Sequence, residues 1–230
     1  MRIGAVLLAA GPGSRIGGLP KALLQLRGLS LLEHHLIALN AVGVSEIVVV
    51  TGFYYQSVET IAQEYPVRVV RNSTPELGQA SSVRIGIEAL GTEYDAIIMM
   101  LCDQPFITRV ELALLIQQFT VQTEALGGLA GSPIIIMIPQ VQGRRGNPII
   151  FSGAVMRAIL DSADKLSCRQ YFDLHPELIT YLQTDNANFV TDIDTPADLH
   201  LLAWDTLMIK IAVKKAALGL LHMVVCRFFE

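Results

Sequence analysis

Short runs of branched, apolar residues alternate along this chain with segments of helix length, and that alternation limits the fold more than any single motif does. The runs are "IGAVLLA" (3–9), "EIVVVTG" (46–52), "VRVVRN" (67–72), "AIIMMLCD" (96–103) and "PIIIMIP" (133–139). Most are almost continuously apolar, the pattern of parallel strands covered on both faces. Between them lie segments with helical spacing at 31–42 (Leu31, Leu32, Leu36, Leu39), 55–64, 80–90 (Val83, Ile87, Leu90) and 109–120. Strand and helix in alternation predict an open, mostly parallel α/β sheet, which binds its ligands beyond the carboxyl ends of the strands. After residue 124 the rhythm changes. "ALGGLAGSPIII" and "QVQGRRGNPIIFSG" read as loops around a further strand, 151–161 and 167–175 regain helical spacing, and "LITYLQT" and "NFVTDID" read as extended pieces.

No repeat or low-complexity linker divides the 230 residues, and at about 150 residues per domain one main domain is expected, over 1–204. Beyond it, 205–230 reads as an apolar, lysine-edged helical extension. Packing on the domain's own sheet is its simplest account, and docking on a partner or a membrane surface is the alternative. A helix start is expected at "DTPADL", with Asp194 or Thr195 as cap, Pro196 in the first turn and Asp198 near the positive end.

Charge is nearly balanced, with 17 basic and 21 acidic side chains. That leaves no broad cationic face for nucleic acid, but it permits a small anionic ligand in a local pocket. Three widely spaced cysteines, Cys102, Cys168 and Cys226, make neither a disulfide framework nor a CxxC metal site, so a reducing cytoplasm is expected. No apolar run reaches the roughly 18 residues of a membrane span, and membrane contact is not expected.

The first strand leaves through "GPGSRIGGLPK". Gly11, Gly13, Gly17 and Gly18 permit positive φ and close backbone approach, while Arg15 and Lys21 can reach back over the turn. Backbone N–H donors with two cations suit a polyphosphate. The dinucleotide fingerprint fails at Ile16, and the P-loop pattern fails at Leu19-Pro20. An ordinary glycine turn with solvated cations is the competing account.

Two aspartate sites follow. Asp103 ends the strand in "AIIMMLCDQP", where a carboxylate can hold Mg²⁺; Thr108 is the better cap for the next helix. In "VTDIDTPADL", Asp192 and Asp194 alternate about Ile193, so an extended backbone sends both to one face. Asp192 is then the favoured ligand and Asp194 either a second ligand or a helix cap. Asn72, Gly78, Gln79, Ser81 and Ser82 offer uncharged groups for a base or ribose, with helix capping as the alternative for the serines. The "QGRRGNP" turn, with Arg144, Arg145, Gly146, Asn147 and Pro148, can hold a second anion or be a solvated basic turn. Of His34 and His35, at most one can face the core, and no GxSxG elbow marks a serine nucleophile. Cys102, inside an apolar strand, is expected to be buried and inert.

Taken together, "LLAAGPGSRIGGLPKALLQLRGLSLLEHHL", "NSTPELGQASSVRIGIEAL", "DAIIMMLCDQPFIT", "QGRRGNPIIFSG", "LHPELI" and "DIDTPADL" resemble, in order over about residues 3–202, the nucleotidyltransferases that build molybdenum cofactor dinucleotides. The resemblance implies a three-layer α/β/α, Rossmann-like nucleotidyltransferase fold with a mostly parallel sheet. It implies that Ala9, Ala10 and Gly11 approach the nucleobase, that Gly13, Ser14, Gln79, Ser81 and Ser82 belong to the nucleotide site, and that Arg15 and Lys21 bind the triphosphate. Asp103 with Asp192 and Asp194 then holds catalytic Mg²⁺, and Gln104, Arg145, Gly146, Asn147 and Pro148 lie near the acceptor.

Ala10 in "LAAG", with "CDQP" and "GRRGNP", is similar to the cytidylyltransferase branch. That branch implies CTP and molybdopterin as substrates, pyrophosphate as leaving group, and a molybdenum hydroxylase or cofactor-delivery protein as partner. Ile16, Leu19-Pro20 and "GQASSV" depart from the family's usual residues. The competing expectations are a sugar-1-phosphate nucleotidylyltransferase and a non-catalytic nucleotide-binding adapter.

Overall fold

The computed structural model describes residues 1–128, 134–162 and 167–201. The helical extension expected over 205–230 lies outside the described residues.

The central strand is β1 (Ile3–Ala9), every residue of which is buried. It pairs in parallel with β4 (Glu46–Thr51) on one side and β6 (Ala96–Leu101) on the other, so Leu7 lies between Val49 and Met100. β5 (Arg68–Arg71) extends the sheet in parallel beyond β4. On the far side, β9 (Ile149–Ser152) runs antiparallel between β6 and β7 (Ile136–Val141), and β10 (Ile179–Gln183) pairs in parallel with β7. β8 (Arg144–Arg145) folds back on β7, and β2 (Gln25–Leu26) and β3 (Leu29–Ser30) make a separate small hairpin. The sheet is thus mostly parallel, as expected. The antiparallel β9 was not: a run as short as Ile149–Ser152 carries no sign of direction, which is set by the tight turn after β7.

The period-two alternation of β1 divides the core. Ala5 and Leu7 face α1 (Leu31–Ala41), α2 (Tyr55–Ala62) and α4 (Arg109–Ala125), meeting Leu32, Leu36, Val58, Leu112 and Phe119. Val6 and Leu8 face α3 (Gln79–Leu90), α5 (Gly153–Asp161) and α6 (Cys168–Leu174), meeting Val83, Ile87, Met156 and Phe172. These faces form the three α/β/α layers. Gly86 lets α3 lie directly on the sheet: a Cβ there would meet Val6 and would come within 2.9 Å of Val50 Cγ2.

Helix starts follow local chemistry. Ser30 with Glu33 and Thr108 with Glu111 form reciprocal capping boxes. Of the two adjacent histidines, His35 enters the core and His34 Nε2 contacts the Leu26 carbonyl oxygen at 2.6 Å. Cys102 is buried, and burial pushes its thiol well above the usual range, so it is inert as expected.

Two local expectations need correction. Ser81 and Ser82 do not cap α3, because the helix already begins at Gln79 with Gly78 at the cap position. "NFVTDID" is not a strand: Ala187–Val190 is a turn of 3₁₀ helix, started by the Asn186 side chain accepting from Asn188 N at 3.0 Å. A short apolar run cannot report that local competition from asparagine.

Candidate active site

The glycine loop is a closed ring. Gly13 O accepts from both Ile16 N and Gly18 N at 3.0 Å, and Gly13, Gly17 and Gly18 all have positive φ. A Cβ on Gly13 would overlap Leu19 O, so this position needs glycine twice over. Ile16 and Leu19 turn inward with Leu24, Leu31, Ile193 and Leu199 in a small apolar cluster. The two departures Ile16 and Leu19 therefore fasten the loop to the late aspartate segment.

Ile193 is fully buried in that cluster, and its N–H donates to Asp103 O at 2.8 Å, tying the two aspartate segments together by backbone. Lys21 Nζ sits between the carboxylates, 2.9 Å from Asp103 Oδ2 and 2.6 Å from Asp194 Oδ1. Arg15 Nη1 lies 2.8 Å from Asp194 Oδ2. Burial works against the Lys21 charge, but Asp103 and Asp194 outweigh it and hold its pKa above the ordinary lysine value. Asp194, hydrogen-bonded by Lys21, is held below the ordinary carboxylate range. Asp194 is not the cap of the final described helix, α7 (Pro196–Leu201). Asp198 Oδ2 accepts instead from Asp194 N at 2.9 Å and Thr195 N at 2.6 Å, leaving the Asp194 carboxylate for the cations.

Asp192 lies behind this cluster. Burial raises its pKa, the negative charges of Asp103 and Asp194 raise it further, and Gln104 and Lys21 pull it back. Asp103 Oδ1 and Asp192 Oδ1 are buried without hydrogen-bond partners. Oxygen-only donors with unsatisfied lone pairs suit a hard divalent cation, which takes one or two carboxylates and completes its shell with water and phosphate oxygens. Among the described residues no three His, Cys, Asp or Glu side chains are gathered to hold a metal alone. Asp103 and Asp192 fit the smaller, phosphate-completed kind of site.

The loop, Lys21 and the strand ends enclose a cleft of about 280 Å³. Ala9, Ala10, Gly11, Gly13, Ser14, Arg15, Lys21, Gln79, Ser82, Asp103 and Asp194 line it, joined by Tyr54. Ser81 is not among the lining residues: its hydroxyl donates to Gly78 O and accepts from Asn72 Nδ2, both at 2.8 Å. Asn72, which also donates to Ser82 Oγ at 2.9 Å, organises this loop from within.

The expected acceptor residues stand further back. Gln104 is fully buried and donates to Phe189 O at 3.2 Å. Gly146 approaches Phe189 too closely for a Cβ, which would lie 2.5 Å from Phe189 O, and Asn147 N donates to that same oxygen at 2.9 Å. The Asn147–Pro148 bond is cis. Arg145 pairs with Asp173 at 3.1 Å and donates to Tyr181 Oη at 3.1 Å. Gln104, Gly146 and Asn147 thus buttress the segment leading to Asp192 through Phe189, Arg145 ties instead to α6 and β10, and none of the five is among the residues that line the cleft.

Glu111 completes that buttress: its Oε1 accepts from Asn186 Nδ2 at 3.0 Å and Asn188 Nδ2 at 2.8 Å. "TRVE" signals a capping box, but nothing in the sequence signals the second pair of contacts, which cross 75 and 77 residues. Tyr54 was equally silent in the sequence.

A mostly parallel sheet with a glycine ring, paired cations and converging carboxylates at its strand ends defines a nucleotide-handling α/β transferase fold. The chain belongs to the MobA-like NTP transferase domain family, which it matches over residues 5–178. It is similar to Nicotine blue oxidoreductase of Paenarthrobacter nicotinovorans, at 29% identity over 201 residues, covering 86% of this chain and 94% of that protein. It is also similar to the Bifunctional protein GlmU of Mycobacterium marinum, at 31% identity over 53% of this chain but only 26% of that longer protein. In structure it resembles a nucleotidyl transferase from Methanothermobacter, with TM-score 0.69 at 23% identity, covering 91% of this chain and 99% of the other.

Proposed function

We propose that the protein transfers CMP from CTP to the terminal phosphate of molybdopterin, releasing pyrophosphate, and that residues 1–204 form the transferase domain. The observation that carries a nucleotidyl-transfer reading is the Lys21 ammonium bridging Asp103 and Asp194 at the edge of the glycine ring. Such a cluster places mobile positive charge and free carboxylate oxygen together where a polyphosphate would lie. The choice of CTP and molybdopterin is supported by the "LAAG", "CDQP" and "GRRGNP" segments.

In this reading an oxygen of the acceptor's terminal phosphate attacks the α-phosphorus, the bond to the bridging oxygen breaks, and pyrophosphate leaves with the electron pair. The attacking phosphate is already ionised near neutral pH, so no side-chain base is needed. Arg15 and Lys21 offset charge on the phosphates, and the loop amides orient them. Mg²⁺ held by Asp103 and Asp192, with Asp194 close by, would supply Lewis-acid screening of the phosphate oxygens. Gln104, Arg145, Gly146, Asn147 and Pro148 lie on the acceptor side in this reading, and Gln104, Gly146 and Asn147 also fix, through Phe189, the segment leading to Asp192. The product would pass to a molybdenum hydroxylase or a delivery protein.

The test is pyrophosphate release with Mg²⁺ and molybdopterin, comparing CTP, GTP, ATP and UTP, with Asp103→Asn as control. CTP-selective release, lost in the variant while its fold persists, is expected. The likeness to Nicotine blue oxidoreductase supplies a second arm, a redox assay on nicotine blue that follows its reduction. Dye reduction without pyrophosphate release from any triphosphate would overturn the transferase reading.

A further inference from the structure

Three consecutive residues after β4 press on the glycine ring from outside. Gly52 sits so close to Ala10 that a Cβ would lie 2.7 Å from Ala10 O. Phe53 N donates to that oxygen at 3.4 Å. Tyr54 then reaches across the ring: its hydroxyl lies 2.8 Å from Pro12 O and 2.5 Å from Gly18 O. A phenol has one proton to give, so the two carbonyls share it. One side chain thereby ties the entry and the exit of the loop together, while its ring forms part of the cleft wall.

The consequence follows from peptide geometry. In a trans peptide the C=O and the following N–H point in opposite directions. Holding Pro12 O toward Tyr54 turns the Gly13 N–H away from it, and holding Gly18 O does the same to the Leu19 N–H. The Gly13 N–H has no hydrogen-bond partner among the described residues. Gly13 takes a positive φ, and its own carbonyl is already engaged by Ile16 N and Gly18 N.

We propose that Tyr54 is a positioning residue for phosphate recognition: through the Pro12 and Gly18 carbonyls it holds the glycine ring in the form that presents its amide donors to a polyphosphate. The inference rests on the nucleotidyl-transfer reading for its ligand class, but it concerns phosphate and not the base. The hydroxyl touches no reacting atom, so it acts on affinity and not on the chemical step.

The experiment compares the full chain with Tyr54→Phe, and with Tyr65→Phe as control. Tyr65 also gives its hydroxyl to a protein acceptor, Glu33 Oε1 at 3.3 Å, but away from the ring. Calorimetric affinity is measured for inorganic tripolyphosphate and for CTP, each with Mg²⁺, together with KM, kcat and thermal midpoint. Loss of one hydrogen bond predicts about three- to tenfold weaker binding of both probes by Tyr54→Phe. The KM for CTP rises to match, while kcat and the acceptor KM stay within about twofold and Tyr65→Phe binds as the parent does. Unchanged tripolyphosphate affinity in Tyr54→Phe, whatever its thermal midpoint, would overturn the inference and leave the transferase reading standing. If the parent binds tripolyphosphate but no nucleoside triphosphate, that reading fails while a weakened Tyr54→Phe still supports the inference. A parent that binds neither probe overturns both.

Discussion

Lys21→Met isolates the cation on which the site is built. The side chains of Lys21, Asp103 and Asp194 retain 18%, 23% and 35% of their exposure, so the pairs are neither surface bridges nor fully buried ones. Exposed pairs contribute about 0–1 kcal/mol, and removing one partner of a buried pair costs about 3–5 kcal/mol. Methionine keeps much of the volume but leaves Asp103 and Asp194 facing each other, with Asp192 close behind. A loss of about 2 kcal/mol is expected, a fall in midpoint of about 4–8 °C for a domain of this size. The loss should shrink as the pH drops toward the carboxylate range, because protonation removes the repulsion. It should also shrink in Mg²⁺, which can enter the carboxylate cluster left behind; the parent, with Lys21 in place, should gain less. The assay is thermal unfolding followed by circular dichroism, with chelator or with millimolar Mg²⁺, across pH 5–8. A variant as stable as the parent throughout, with no larger response to Mg²⁺, would refute the idea that Lys21 holds these carboxylates together.

Three further substitutions address the core and the supports of the site. His35 is fully buried, which pushes its pKa down to about 3, with the charge of His34 adding to the effect. The ring is neutral in the folded state but takes a proton near pH 6.5 once unfolded, so stability should fall by about 1.4 kcal/mol per pH unit from about 6.5 down to about 3. His35→Leu should remove that contribution, and equal slopes for variant and parent in urea unfolding would contradict it. Thr108→Ala should cost about 1 kcal/mol as a lost cap. Glu111→Ala should cost about 2–3 kcal/mol, because it also strands the Asn186 and Asn188 amides, and it should lower activity by freeing the segment that carries Asp192. Equal unfolding costs for these two variants would show that the asparagine contacts add nothing.

What the sequence alone determined is what local physics encodes. Continuous apolarity in 3–9, 46–51 and 96–101 specified buried parallel strands, and helical spacing specified the helices on both faces. Thr108 marked a helix start because a cap needs only residues three positions apart. Gly13, Arg15, Lys21 and Asp103 were legible as a candidate site because strand ends and glycine turns have chemical reasons to carry such groups. Tertiary structure decided everything that depends on separations the chain cannot signal. It turned β9 antiparallel, and it set Gly146 and Asn147 of the "GRRGNP" turn against Phe189. It made Asp198, not Asp194, satisfy the amides before α7. It also brought Tyr54 over a loop 36 residues away. A cap or a strand is favoured by its neighbours in sequence; a brace exists only once separate elements have packed and left one donor facing one acceptor.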